Sequence, residues 1–90
     1  MADTSSKTVK SLSDFAIIVD RTDNVAVVKT ATTPGLELRF ADGRMLTVKD
    51  AVSPGHRFAT ADIPAGEFVR QYGQPIGTSL GIAAGEWVSH

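Results

Sequence analysis

Between Leu36 and Phe40 the chain alternates apolar and charged residues, Leu36-Glu37-Leu38-Arg39-Phe40. That period of two marks a strand with one face in a core. Asp42-Gly43 follows and predicts a two-residue hairpin turn into a return strand at 45–48. Upstream, residues 15–19 and 25–30 are rich in β-branched side chains and apolar on both faces. They predict two central strands, separated by the polar turn formers 20–24. Shorter strands are predicted over 57–61 and 68–72. Gly77 breaks residues 75–80 and suggests a bend or a close backbone approach. Trp87-Val88 closes the sheet. Helical periodicity is missing; at most one helical turn fits near 48–52. Many short strands joined by tight turns give an all-β fold class.

A repeat sharpens this picture. Ile63-Pro64-Ala65-Gly66-Glu67-Phe68-Val69 returns nineteen positions later as Ile82-Ala83-Ala84-Gly85-Glu86-Trp87-Val88. Each copy reads as a turn that starts a strand, with Gly66 and Gly85 supplying a positive φ. Glu67 and Glu86 occupy matching places and are expected as exposed turn residues rather than as an acid–base pair.

Ninety residues make one domain with a small core, too small to build a whole active-site cleft alone. Residues 1–14 are rich in Ser, Thr, Lys and Asp and are expected as a flexible N-terminal tail, with the folded domain at 15–90. Nine basic and ten acidic residues are interspersed, for a net charge of −1. That balance leaves no footprint for nucleic acid. The chain has no cysteine, which removes disulfides, thiolate catalysis and zinc–thiolate sites. The apolar runs are too short to span a bilayer, and no secretory signal is seen, so a soluble cytoplasmic protein is expected.

Little complete chemistry is visible. There is no HExxH, no GxSxG, no phosphate loop and no dinucleotide fingerprint. His56, between Gly55 and Arg57, is the sharpest candidate: imidazole can move a proton near neutral pH or ligate a metal. Its plain alternative is a surface-loop histidine. Asp20, Asp23 and Asn24 form an oxygen-rich turn that suits a hard cation or a sugar hydroxyl. The plain alternative there is an Asx-turn between two strands. Tyr72-Gly73 is expected to pack and turn, and Trp87 to anchor a core or an interface.

Five segments occur in order: Thr22-Asp23-Asn24-Val25-Ala26-Val27, Gly55-His56-Arg57-Phe58-Ala59, Asp62-Ile63, Tyr72-Gly73-Gln74-Pro75-Ile76-Gly77 and Ile82-Ala83-Ala84-Gly85-Glu86. As an ordered set they resemble the N-terminal SAF module of the altronate and galactarate dehydratase family. The resemblance implies a β-clip fold. It also implies a module that accompanies a much larger catalytic region, fused to it or as a separate small subunit. The implied reaction removes water from a sugar acid, with a divalent metal, iron or manganese, held mainly by the large subunit. On that resemblance His56 is catalytic, Arg57 (in a lysine place), Asp23 and Asn24 contact substrate, and Asp20 is a metal ligand. Asp20 and Ser89 stand where histidines are usual in the family. Two alternatives accompany this reading: a non-catalytic SAF binding or assembly module, and the small subunit of a sulfolactate sulfo-lyase. Homo-oligomerisation is left open.

Overall fold

The computed structural model describes residues 9–88. They form nine short strands: β1 (Val9–Ser11), β2 (Ala16–Ile17), β3 (Val25–Val28), β4 (Glu37–Arg39), β5 (Met45–Thr47), β6 (Arg57–Ala59), β7 (Phe68–Gln71), β8 (Gln74–Thr78) and β9 (Trp87–Val88). The all-β expectation holds. The helical turn considered near 48–52 does not form; Val48 and Lys49 instead donate their amides to Leu36 and Gly85. A single turn of 3-10 helix lies at Leu12–Asp14.

The strands make a middle sheet in the order β2-β3-β6-β9, an outer sheet β1-β4-β5 and a separate hairpin β7-β8. The middle sheet is covered on both faces. Ala26, Val28 and Phe58 pack with Leu38, Phe40, Leu46 and Val48 of the outer sheet. Val25, Ala59 and Val88 pack with Ile63 and Val69 beneath the hairpin. This explains the unbroken run Val25-Ala26-Val27-Val28: successive side chains leave a strand on opposite faces, and each face meets a core. Full burial of a side chain such as Phe58 or Leu38 contributes about 1.5–3 kcal/mol.

β3 is central as expected, but β2 is not. It pairs only with β3, through Ala16 and Ile17, and lies at the sheet edge. Ile17 and Val19 are about half exposed as a result. The β4–β5 hairpin follows the period-two pattern, with Leu38, Phe40, Leu46 and Val48 buried. Its connection is longer than the two residues expected. Phe40 bonds both the Gly43 amide and the Arg44 carbonyl, so residues 41–43 form the loop, with Gly43 at φ 94°. That is the hairpin closed by a glycine bulge. β8 runs straight through Gly77; the irregularity is at Ile76, left unpaired where Val69 faces Gly77 and Arg70 faces Pro75.

The expected tail boundary at residue 14 also moves. Val9–Ser11 pair in parallel with Glu37–Arg39, and Leu12 is buried in the core. Residues 9–14 therefore belong to the fold. The sequence hid this because β1 itself is exposed and shows no alternation.

Four turns share one geometry. In 33–36, 53–56, 64–67 and 83–86, the fourth residue donates its amide to the first carbonyl at 3.0–3.1 Å. The third residue is Gly35, Gly55, Gly66 or Gly85, at φ 87–91°. This is the type II turn, whose third position favours glycine. Each turn is followed at once by a strand: β4, β6, β7 or β9. The sequence repeat contains the last two. Its copies meet at Ile63 and Ile82, which exchange both backbone hydrogen bonds at 2.8 and 3.0 Å. Val69 and Val88 are both buried, and Phe68 and Trp87 both half exposed.

Candidate functional site

The 20–24 turn and the tip of the β7–β8 hairpin are locked together. Tyr72 (φ 56°) and Gly73 (φ 73°) form the two-residue connection between Gln71 and Gln74. Positive φ at both positions is the type I′ hairpin turn. One carboxylate receives both of its amides: Asp23 accepts from Tyr72 at 3.0 Å and from Gly73 at 2.7 Å, and also from the Asp20 amide. Asn24 does the same for the strand beside it. Its side chain accepts from the Arg70 amide at 2.8 Å and donates to the Phe68 carbonyl at 2.9 Å. Asp23 and Asn24 thus clamp the hairpin to the middle sheet.

Asp20 closes the Asx-turn: its Oδ1 accepts from the Thr22 amide at 2.9 Å and the Thr22 hydroxyl at 2.7 Å. The backbone bond from Thr22, then its hydroxyl, hold the Asp20 carboxyl below the ordinary carboxylate range, against a smaller opposing effect of desolvation. Asp20 also covers Gly73, where a Cβ would come within 3.0 Å of its Oδ2.

Asp23→Ala should therefore loosen the hairpin tip. Three amides, two of them at the tip, lose a carboxylate acceptor at a partly exposed site, which costs about 1–3 kcal/mol. For a domain this small the melting temperature should fall by about 4–8 °C per kcal/mol. Faster hydrogen exchange at Tyr72 and Gly73, with β4 and β5 unchanged, would identify the cause; unchanged exchange at those amides would exclude it.

His56 is the last residue of a type II turn, just before β6. Its backbone is fixed by bonds to Ser53 and Val28, but its side chain is exposed. The ring meets Trp87 edge-on, with centroids 6.1 Å apart, and makes no hydrogen bond to the described residues. The Trp87 amide is held in turn by the Asp50 carboxylate at 2.8 Å. Arg57 goes the other way. Its Nε donates to the Gln71 side chain, and its Nη1 to the Val88 carbonyl at 3.3 Å. Both acceptors are neutral, and Arg57 has no ion pair among the described residues, where Asp42–Arg44 is a pair. A half-buried guanidinium with neutral partners keeps its charge for an anion, and its fork fits a carboxylate.

The five expected site residues are therefore not one cluster. Asp20, Asp23 and Asn24 gather at the hairpin tip. His56 and Arg57 leave β6 in different directions from the far end of the β3–β6 pair: Val28 bonds His56, whereas Asn24 bonds Thr60. Among the described residues no three His, Cys, Asp or Glu side chains come together to hold a metal. Asp20 and Asp23 already spend carboxylate oxygens on N–H and O–H donors, so this chain's described residues do not make a metal shell alone. Ser89 lies outside the described residues.

Residues 14–90 match the family model described as the altronate/galactarate dehydratase SAF domain. The chain belongs to this family. Altronate dehydratase of Escherichia coli (strain K12) is 44% identical over 64 residues, which is 70% of this chain and 13% of that protein. Galactarate dehydratase (L-threo-forming) of the same strain is 36% identical over 75 residues, 82% of this chain and 14% of that protein. The chain thus spans about one-seventh of the length of these curated relatives.

In this SAF domain two neighbours of the site were not placed there by the sequence. Gln71, which holds Arg57, sits fourteen residues away in another element. Trp87 forms the wall beside His56. The repeat gave a partial signal for Trp87, because it stands where Phe68 stands and both are half exposed. Among the described residues of the SAF domain no helix is long and apolar enough to cross a membrane.

Proposed function

We propose that this chain is the small SAF-domain subunit of a sugar-acid dehydratase of the altronate/galactarate type, acting in the cytoplasm with a separate large catalytic chain. The observation that carries the reading is clear family membership in a domain whose described residues gather no metal set and present His56 with its ring exposed. A module of this size needs the remaining catalytic apparatus from elsewhere.

Dehydration of a sugar acid removes the proton beside the carboxylate and expels the β-hydroxyl. His56 is the residue this chain lends to that step. Its ring is exposed, oriented by Trp87 and unencumbered by hydrogen bonds to the described residues, so it can take or give the proton. Arg57 offers a guanidinium for the substrate carboxylate. Asp23, Asn24 and Asp20 hold the hairpin that carries Gln71, and so act on substrate through Arg57. The divalent metal, iron or manganese, belongs to the large chain in this reading.

The test is reconstitution. The purified chain is mixed with the large chain of its own organism, the one matching the rest of altronate dehydratase. Formation of the 2-keto-3-deoxy acid from altronate and from galactarate is then followed. Activity that appears only in the mixture supports the proposal. A large chain fully active without this one, or a mixture inert toward both acids, overturns it.

A further inference from the structure

The β7–β8 hairpin overhangs the edge of the middle sheet. Between β8 and the edge strand β9 lies an open groove of about 510 Å³. Val69, Val88 and Ile82 form its apolar floor, and Ile76, Leu80 and Trp87 its walls. No further strand borders either side of the groove among the described residues, but the outer side of β9 is occupied: Asp50 accepts the Trp87 amide at 2.8 Å, and Lys49 donates to the Gly85 carbonyl just before the strand.

Leu80 is the unusual member. It is 94% exposed, far more than any other large apolar residue described. It is also rigidly presented. Ser79 before it is buried, donates its hydroxyl to the Ile63 carbonyl at 2.6 Å and accepts from the Gly81 amide at 2.9 Å. The Ser79 backbone is bonded at both ends, to Glu67 and Gly66. Gly81 turns the chain away at φ 103°. Buried polar bonds thus hold a leucine in water. Its backbone has already lost the freedom that docking would otherwise take from it, which favours an interface anchor.

We infer that this groove seats apolar side chains of the large catalytic chain, which fill the trough and cover Leu80; this rests on the two-chain reading above. A rigidly presented apolar residue beside an apolar trough is the geometry of a docking anchor, where a few well-packed side chains carry most of the binding energy. The relatives point to the occupant: their matching portion is 13–14% of one polypeptide, so in them this domain is tethered to a far larger body. A second copy of the chain fits less well. β9 offers two residues, and Pro75 removes a donor from β8, which leaves little for a symmetric strand pair.

Leu80→Asp tests the seat, because a side chain this exposed can change without unfolding the domain. Met45→Asp is the control: Met45 is 49% exposed on β5 of the outer sheet. Binding to the purified large chain is measured by calorimetry and sedimentation, with thermal melts of each variant. Leu80→Asp should weaken binding at least about 30-fold, the scale of an interface hot spot, and Met45→Asp less than about 2-fold. Both should melt with the wild type. If the complex forms and Leu80→Asp binds as tightly as wild type, docking lies elsewhere and the two-chain reading survives. If the wild type does not bind the large chain at all, both fall. A wild-type homodimer that Leu80→Asp dissociates would assign the groove to a second copy and overturn the inference.

Discussion

Gly85→Ala is expected to leave little folded protein, whereas Gly66→Ala at the matching place of the repeat should leave a folded domain. The two glycines have nearly the same backbone, φ 87° and φ 91°, in turns closed by the same 3.1 Å bond. Placing alanine in that left-handed region costs about 1–2 kcal/mol at either site. Their surroundings separate them. Nothing lies within 4 Å of a Cβ on Gly66, which is exposed. A Cβ on Gly85 would sit 2.0 Å from the Thr47 carbonyl oxygen and 3.3 Å from the Val48 Cα. Those are backbone atoms of the outer sheet, and no rotamer change relieves the clash. Gly85 also donates to Ala59 and accepts from Lys49, both at 2.8 Å, so it ties the middle sheet to the outer one. Relief must part the two sheets. A cost of about 4 kcal/mol or more is expected, a large share of the total stability of a small domain. Thermal melts give the comparison: about 4–15 °C lost for Gly66→Ala, and no cooperative transition, or one at least about 15 °C lower, for Gly85→Ala. Equal losses at the two positions would mean that packing at Gly85 is not what distinguishes them.

The second large effect falls on turnover. In the reconstituted enzyme His56→Ala should lower kcat by about 10²–10⁴-fold, the usual contribution of a positioned acid or base. The folded state should barely notice. The residue is exposed, and its ring contact among the described residues is the edge of Trp87, worth about 1 kcal/mol at such a site. Sedimentation should show the variant still bound to the large chain, which separates lost chemistry from lost assembly. A His56→Ala complex with full kcat would remove the residue from the mechanism while leaving family and fold untouched.

Residues whose partners lie close in sequence, or whose burial follows a simple period, were legible from the chain. The β4–β5 hairpin came from alternation, the doubly covered β3 from its apolar run, and the turn–strand units from the repeat. Asp20 also behaved locally, as the Asx-turn that its neighbours suggest. What stayed hidden depends on distant partners. β1 is a strand only because Glu37–Arg39 offer an edge, and three exposed residues cannot announce that. Asp23 and Asn24 read as oxygen ligands because the amides that occupy them are 46 to 50 residues away. The unlike fates of Gly66 and Gly85 arise from a sheet that packs on one and not the other. His56 and Arg57 were singled out together, yet neighbours at the start of a strand diverge, and only the tertiary fold shows where each one leads.

The doubly covered strand carries a hazard during synthesis. Val25-Ala26-Val27-Val28 and the neighbouring Ala16-Ile17-Ile18-Val19 have no charge within them, and such β-prone stretches self-associate when exposed. The charged residues around them, Asp14, Asp20, Arg21, Asp23 and Lys29, stand as gatekeepers at their ends. Asp23 thus serves twice: before the hairpin closes it discourages aggregation, and afterwards it keeps the lid on.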